Sequence, residues 1–510
     1  MLKKTKRFSE RLDQTLAGVD PTPDIPISDS LDPNEAAISQ IFEHCADLIL
    51  RKFNIFHSLP CLAVYFDGVV DHTLWDDGFL VALTSLDATE AASPEQLVER
   101  LKHNLPSIVQ MKTVWNLSEA AQSIINGDVV LFIESSGQAL SFKIKDKLQR
   151  QLDEPSTEAV IRGPRIGFIE RLDINMALLR HIIRTPQFKM ETTVLGKTTQ
   201  TEVAIVYIEG LAAPNVVEEV RRRLAQVDMN SVLTFGYIEE LIRDHPRSPF
   251  PLIQSTQRPD AVAAALIEGK VALLVNGSPL VLVLPVTFWF AFQSVEDYYI
   301  HFLIASLLRM LRYFFTFLAL TLPSIFVSIT TYHSEMIPTA LTLSLAAARE
   351  VVPFPALVES LIMEVMFEAL REGGVRLPRP VGQTISIVGA LVIGQAAVQA
   401  GIISAPLVIV VSLTGIASFL IPNPTMSQTI SLLRFPLLIC AGTFGLYGVG
   451  AGLIAILIHL VNLRSFGVPY LAPVAPFDRA GLLDVFFRSP WQILSKRQLR
   501  IGQEMELKKK

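Results

Sequence analysis

The stretch IVGALVIGQAAVQA, residues 387–400, decides how this chain must be read. It lies inside a run, 381–433, that contains no Asp, Glu, Lys, Arg or His. A surface of that length in contact with water needs charge, so this part of the chain faces something else. Of 510 residues, 50% are hydrophobic and 18% charged, against about 25% charged in ordinary soluble domains. The net charge of −5 offers no basic excess for a nucleic-acid partner.

Working outward, four segments have the apolar length of about 20 residues that a bilayer core requires: about 313–332, 383–400, 403–421 and 435–460. Ahead of the first, Ser294-Val-Glu-Asp297 has the pattern of a capping box. It opens a helix, 294–312, whose Tyr298, Tyr299, Arg309 and Arg312 suit a membrane interface, where aromatic and basic side chains meet headgroups. The stretch 336–370 resists assignment. Its first half is short and broken by Arg349, Glu350 and Pro353; its second half is long enough to cross but carries Glu359, Glu364 and Glu368. A re-entrant pair, an interfacial helix and a span facing a polar interior all remain open. Counting basic residues does not choose: whichever way 351–370 runs, either the Arg371, Arg376 and Arg379 group or the Lys508-Lys509-Lys510 end falls outside. Four spans are preferred to five.

Ionisable residues at membrane depth cost about 2.5–3.5 kcal/mol on insertion scales, so they face water, a partner or an ion path. The three glutamates are therefore either the wet side of a surface helix or a pore-lining or gating set, which in a ring of identical subunits would favour cations. Gly445, Gly448 and Gly450 imitate a nucleotide-binding glycine string but sit in an apolar span, so close helix packing through Gly448 and Gly452 is the better reading. Arg434 reads as a loop anchor at the membrane surface. The sequence offers no catalytic, metal-binding or cofactor-binding motif. Cys45, Cys61 and Cys440 read as buried free thiols, and the basic start of the chain is not followed by the apolar run of a signal peptide.

The first half is different. After residues 1–34, read as a flexible tail, apolar strands at 61–66, 128–133, 203–208 and 271–275 alternate with helices at 94–104, 213–227, 238–243 and 261–268. This predicts two α/β lobes, 35–155 and 156–285, before a helical, polytopic membrane domain, 286–465, and a basic C-terminal tail, 466–510. No internal repeat is visible in the sequence.

Several strings, in this order, resemble the A subunits of GerA-type spore germinant receptors. They are EAVIRGPRIGFIE at 158–170, Leu178-Leu-Arg180, Gln257-Arg-Pro-Asp260, SVEDYY at 294–299, Val352-Pro-Phe-Pro355 with the three glutamates, and the opening stretch itself. The resemblance spans about 35–490. It implies a non-enzymatic role in germination of endospores triggered by small nutrients, with a transporter-like B subunit and a lipoprotein C subunit as partners. It further implies a multi-pass protein of the spore inner membrane, its N-terminal domain cytoplasmic, forming a homo-oligomer that conducts monovalent cations. A secondary transporter and a non-conducting scaffold are the alternatives.

Overall fold

The computed structural model describes residues 25–55, 59–71, 110–144, 162–376, 394–479 and 481–490, with isolated positions at 74, 75, 80, 155, 158, 160 and 492. The chain divides into two compact units. One comprises 1–243, 253–285 and 495–510; the other comprises 244–252 and 286–494.

The first unit holds two five-stranded antiparallel sheets. Helix α1 (Leu31–Ile41) precedes β1 (Leu48–Ile55), β2 (Leu59–Phe66), β3 (Met111–Val114), α2 (Leu117–Ile125), β4 (Val129–Ile133) and β5 (Ala139–Phe142). Helix α3 (Leu172–Ile182) precedes β6 (Phe188–Leu195), β7 (Thr201–Ile208), α4 (Pro214–Ala225), α5 (Phe235–Ile242), β8 (Gln254–Thr256), α6 (Pro259–Ile267), β9 (Val271–Val275) and β10 (Val281–Leu284). The strand orders are β1-β2-β4-β5-β3 and β6-β7-β9-β10-β8, the same permutation twice. A duplicated topology thus exists where the sequence shows no repeat. The inner strands β4, β9 and β10 are buried throughout, which is why their unbroken apolar runs are visible in sequence. Residues 25–34 are not a tail: Ile27 and Leu31 are buried, and Pro26 bridges to Asn116. The expected helix at 94–104 lies outside the described residues.

The lobes are joined through Arg180 of α3. It donates to both carboxylate oxygens of Asp47 at 3.0 and 2.8 Å and to the Phe188 carbonyl at 2.8 Å. Its guanidinium also lies over the rings of Phe66 and Phe188, at 4.1 and 4.8 Å. Two backbone bonds, Ala46 N–H to Met190 O and Met190 N–H to His44 O, complete the seam.

The second unit is helical. It contains α7 (Phe302–Tyr332), α8 (Thr339–Arg349), α9 (Ala356–Arg376), α10 (Gly394–Gln399), α11 (Ala405–Phe419) and α12 (Pro424–Asn462). Helices α7 and α12 are long and apolar enough to cross a membrane. The expected division of α7 into an interfacial helix, 294–312, and a span, 313–332, is corrected: only a short turn, Val295–Tyr298, precedes one continuous helix. The expected span at 435–460 is corrected as well. Asn423 caps Met426 N–H and Pro424 occupies the first turn, so α12 begins eleven residues earlier.

A straight helix of 39 residues would measure about 58 Å, nearly twice a bilayer core. Instead α12 breaks at Gly445, with φ +62° and ψ −146°, a conformation available to glycine. The chain doubles back: a Cβ at Gly452 would lie 2.6 Å from Leu437 Cδ1. Both arms return to one short segment, Thr429 donating to Pro249 O at 2.6 Å and His459 meeting Ser248 Oγ at 2.9 Å. Most of the expected span at 383–400 lies outside the described residues.

A candidate gating site in the helical unit

The glutamates of α9 occupy three different environments. Glu364 is buried and pairs with Arg434 of α12 at 2.5 Å. Arg434 is buried too, and its Nε donates to the Ala319 carbonyl of α7 at 2.8 Å. That carbonyl is available for a reason four residues away: Pro323 has no N–H to close the helical bond to residue 319. A proline on one helix thereby creates the acceptor that fixes an arginine on another. The reading of Arg434 as a surface anchor is corrected, because it lies inside α12 and inside the bundle.

Glu359 is fully buried and accepts from the Ser404 backbone N–H at the start of α11. Arg349, at the end of α8, lies 3.7 Å from its other oxygen. Glu368 is the outermost of the three, with a side chain 37% exposed and paired with Arg371, which also donates to Ser431 Oγ. A wet acidic face on a surface helix is ruled out for Glu359 and Glu364 by their burial. The structure brings each to its own arginine rather than bringing all three together.

The predicted interface anchors form a second charged cluster. Arg309 is fully buried and reaches Asp297 Oδ2 at 3.3 Å and the Asp484 carbonyl at 2.5 Å. Arg312 donates to both oxygens of Asp297 at 2.9 and 2.8 Å, and the Tyr298 hydroxyl donates to Asp484 at 2.7 Å. Arg309 and Tyr298 therefore fix the start of α7 to Asp484, and Arg312 fixes it to Asp297 and the Phe292 carbonyl, instead of meeting headgroups. Tyr299 alone of the four is well exposed. It follows that 466–490 is no tail, since Asp484 completes this cluster and Tyr470 is buried with its hydroxyl on Pro251 O.

The packing role expected of Gly448 and Gly452 changes in kind. A Cβ at Gly448 would strike the Cys440 carbonyl at 2.1 Å, so both glycines make room for α12 against itself. A neighbouring helix is admitted at Gly415, where Phe367 of α9 fits, and at Gly442, where Leu357 of α9 fits.

Residues 36–499 match the model of the Bacillus/Clostridium GerA spore germination protein family. The chain belongs to that family. It is 42% identical to spore germination protein KA of Bacillus subtilis over 94% of this chain and 88% of that protein. It is 45% identical to the uncharacterized membrane protein YfkQ of the same organism, over 95% and 94%. Spore germination protein A1 of Bacillus subtilis is 38% identical over 87% and 90%. The crystal structure of the N-terminal domain of the A subunit of the Bacillus megaterium spore germinant receptor GerK3 covers 52% of this chain and 97% of its own, with 30% identity and a TM-score of 0.41. Among the described residues no group of three His, Cys, Asp or Glu side chains is arranged to hold a metal. The thiols of Cys45, Cys61 and Cys440 are free, and burial pushes that of Cys61 up to about 12.

Proposed function

We propose that this chain is the A subunit of a nutrient-responsive receptor in the spore inner membrane, working with a transporter-like B subunit and a lipoprotein C subunit. Its helical unit forms the cation-conducting part of a homo-oligomer, and its N-terminal unit is cytoplasmic. Family membership supports the germination role. The observation that carries the channel reading is the charged interior of the helical unit, Glu364–Arg434 with Glu359 beside Arg349. Charged pairs in an otherwise apolar bundle are costly as mere framework, and they suit an element that changes position. The two inner glutamates act as latches on α9, while Glu368 is the carboxylate left near the surface. Helix α8 fits an assembly: its sequence, TALTLSLAAAR, is largely apolar, yet none of its residues is buried within one chain.

With the span that the sequence leads one to expect at 383–400, the proposed topology has six crossings in place of four: α7, α9, that stretch, α11 and the two arms of α12. Helix α9 runs opposite to α7, since Ala356 packs with Val327 while Glu364 is joined through Arg434 to Ala319. Six crossings put Arg371, Arg376, Arg379 and the basic C-terminus on one side, which removes the conflict in the basic-residue count.

The test is co-reconstitution of the full chain with its B-type and C-type subunits in vesicles loaded with potassium. Nutrient should trigger potassium release, and Glu364→Gln should release it without nutrient. Assembled complexes that stay silent under all conditions would favour a scaffold, and saturable nutrient uptake without current would favour a transporter.

A further inference from the structure

Hydroxyls in the helical unit follow a rule. Thr316, Thr321, Ser328, Thr330, Thr414 and Thr443 each donate to a carbonyl one turn back on their own helix, the usual way a buried hydroxyl satisfies itself in an apolar setting. Besides Ser404 at the start of α11, Ser324 of α7 and Ser360 of α9 break the rule. Both are completely buried, and neither hydroxyl has a protein partner among the described residues.

Their positions are related. Val327 packs with Ala356, and Ala319 is joined to Glu364 through Arg434. Between these two ties each helix advances eight residues in opposite directions, so Ser360 falls level with 323–324. The layer above them is apolar, Val327, Ala356 and Leu438. The layer below is the ion pair, whose Glu364 Oε1 and Arg434 Nη2 are also buried without a protein partner among the described residues. Ser360 and Glu364 are four residues apart on one helix face, which makes them neighbours. Two hydroxyls, one carboxylate oxygen and one guanidinium N–H, from α7, α9 and α12, thus fall at neighbouring levels of the bundle.

We propose that this layer is a built site for ordered water. The set contains both donors and acceptors and its formal charges cancel, a combination that suits a neutral molecule able to give and take hydrogen bonds. A bare cation would find Arg434 opposing it, and an anion would find Glu364. One or two waters bridging Ser324, Ser360, Glu364 and Arg434 satisfy all four groups, whereas a dry layer would leave these four buried polar atoms unmet. Such a wet seam holds α9 less firmly than apolar packing does, so α9 is the helix that shifts; this last step rests on the gating role proposed above, the water site does not.

The test is a double-mutant cycle on the full chain in detergent, with Ser324→Ala, Ser360→Ala and both. Each single change should lower the melting temperature by about 2–4 °C, and the double should be no worse than the lower single, because both hydroxyls serve the same water. A rise in melting temperature for either single would mean a dry layer and overturn the proposal, as would strict additivity. A cryo-EM map of the assembled receptor provides the second reading: density between Ser324 and Ser360 in the wild type, lost in Ser360→Ala, is expected, and continuous emptiness there in the wild type would overturn it. Neither measurement reads cation flux, so failure here leaves the channel reading to its own test.

Discussion

Arg180 and Arg434 are both buried arginines paired with a carboxylate, one in each unit of the molecule, and they differ in how completely they are satisfied. Arg180 has two bonds to Asp47, a backbone carbonyl and two aromatic faces. Arg434 has one bond to Glu364 and one to a carbonyl that a proline set free, and one nitrogen of its fork stays without a protein partner among the described residues. A fully satisfied pair in a polar domain is a clamp. A partly satisfied pair between apolar helices is held more loosely, which is what the proposed latch on α9 requires.

The largest effect is expected at Arg180. Arg180→Met leaves Asp47 buried without its cation, and the N-terminal unit should lose about 3–5 kcal/mol, read as a lower melting transition of the full chain. Adding Asp47→Leu should restore only part of this, because the aromatic stacking and the bond to Phe188 O are lost too. At the other pair the pattern should differ. Arg434→Met alone should cost about 3 kcal/mol by stranding Glu364, while Arg434→Met with Glu364→Leu should return close to wild-type stability and leave the nutrient response abolished. If both doubles recover equally, the distinction between clamp and latch fails.

A smaller effect sharpens the contrast within the N-terminal unit. Burial raises the pKa of Glu158 above its ordinary 4.5, although Thr256 and the Gln257 N–H act against this. A carboxyl raised in the folded state adds stability that is complete below pH 4.5 and is lost as pH rises through the folded value. Glu158→Gln should therefore flatten the pH dependence of melting above pH 4.5, with the largest relative gain at neutral pH. A steeper dependence in the variant would contradict the burial argument.

Much of this architecture was legible from residues alone, and the failures have physical causes. Strands β4 and β9 stand out because inner strands are apolar on both faces. Strand β1 does not, because an edge strand can carry Arg51, Lys52 and Asn54. The start of α12 was signalled by Asn423-Pro424, a cap followed by a first-turn proline, but an apolar window centred on 435–460 outweighs it. Arg434 then falls outside the helix and looks like an anchor. The break at Gly445 was hidden by the same window, since a glycine in an apolar run signals close packing as readily as a reversal. The importance of the glutamates was legible from their cost at membrane depth. Their partners were not, because the acceptor that positions Arg434 depends on Pro323, more than a hundred residues away.

In the proposed topology α9, charges included, crosses the membrane as part of the bundle. This crossing is tested by placing single cysteines at Ser334 and Gly374 in the full chain lacking Cys45, Cys61 and Cys440, then labelling oriented vesicles with a membrane-impermeant maleimide. The two positions should react from opposite sides. Labelling of both from the same side would contradict the crossing.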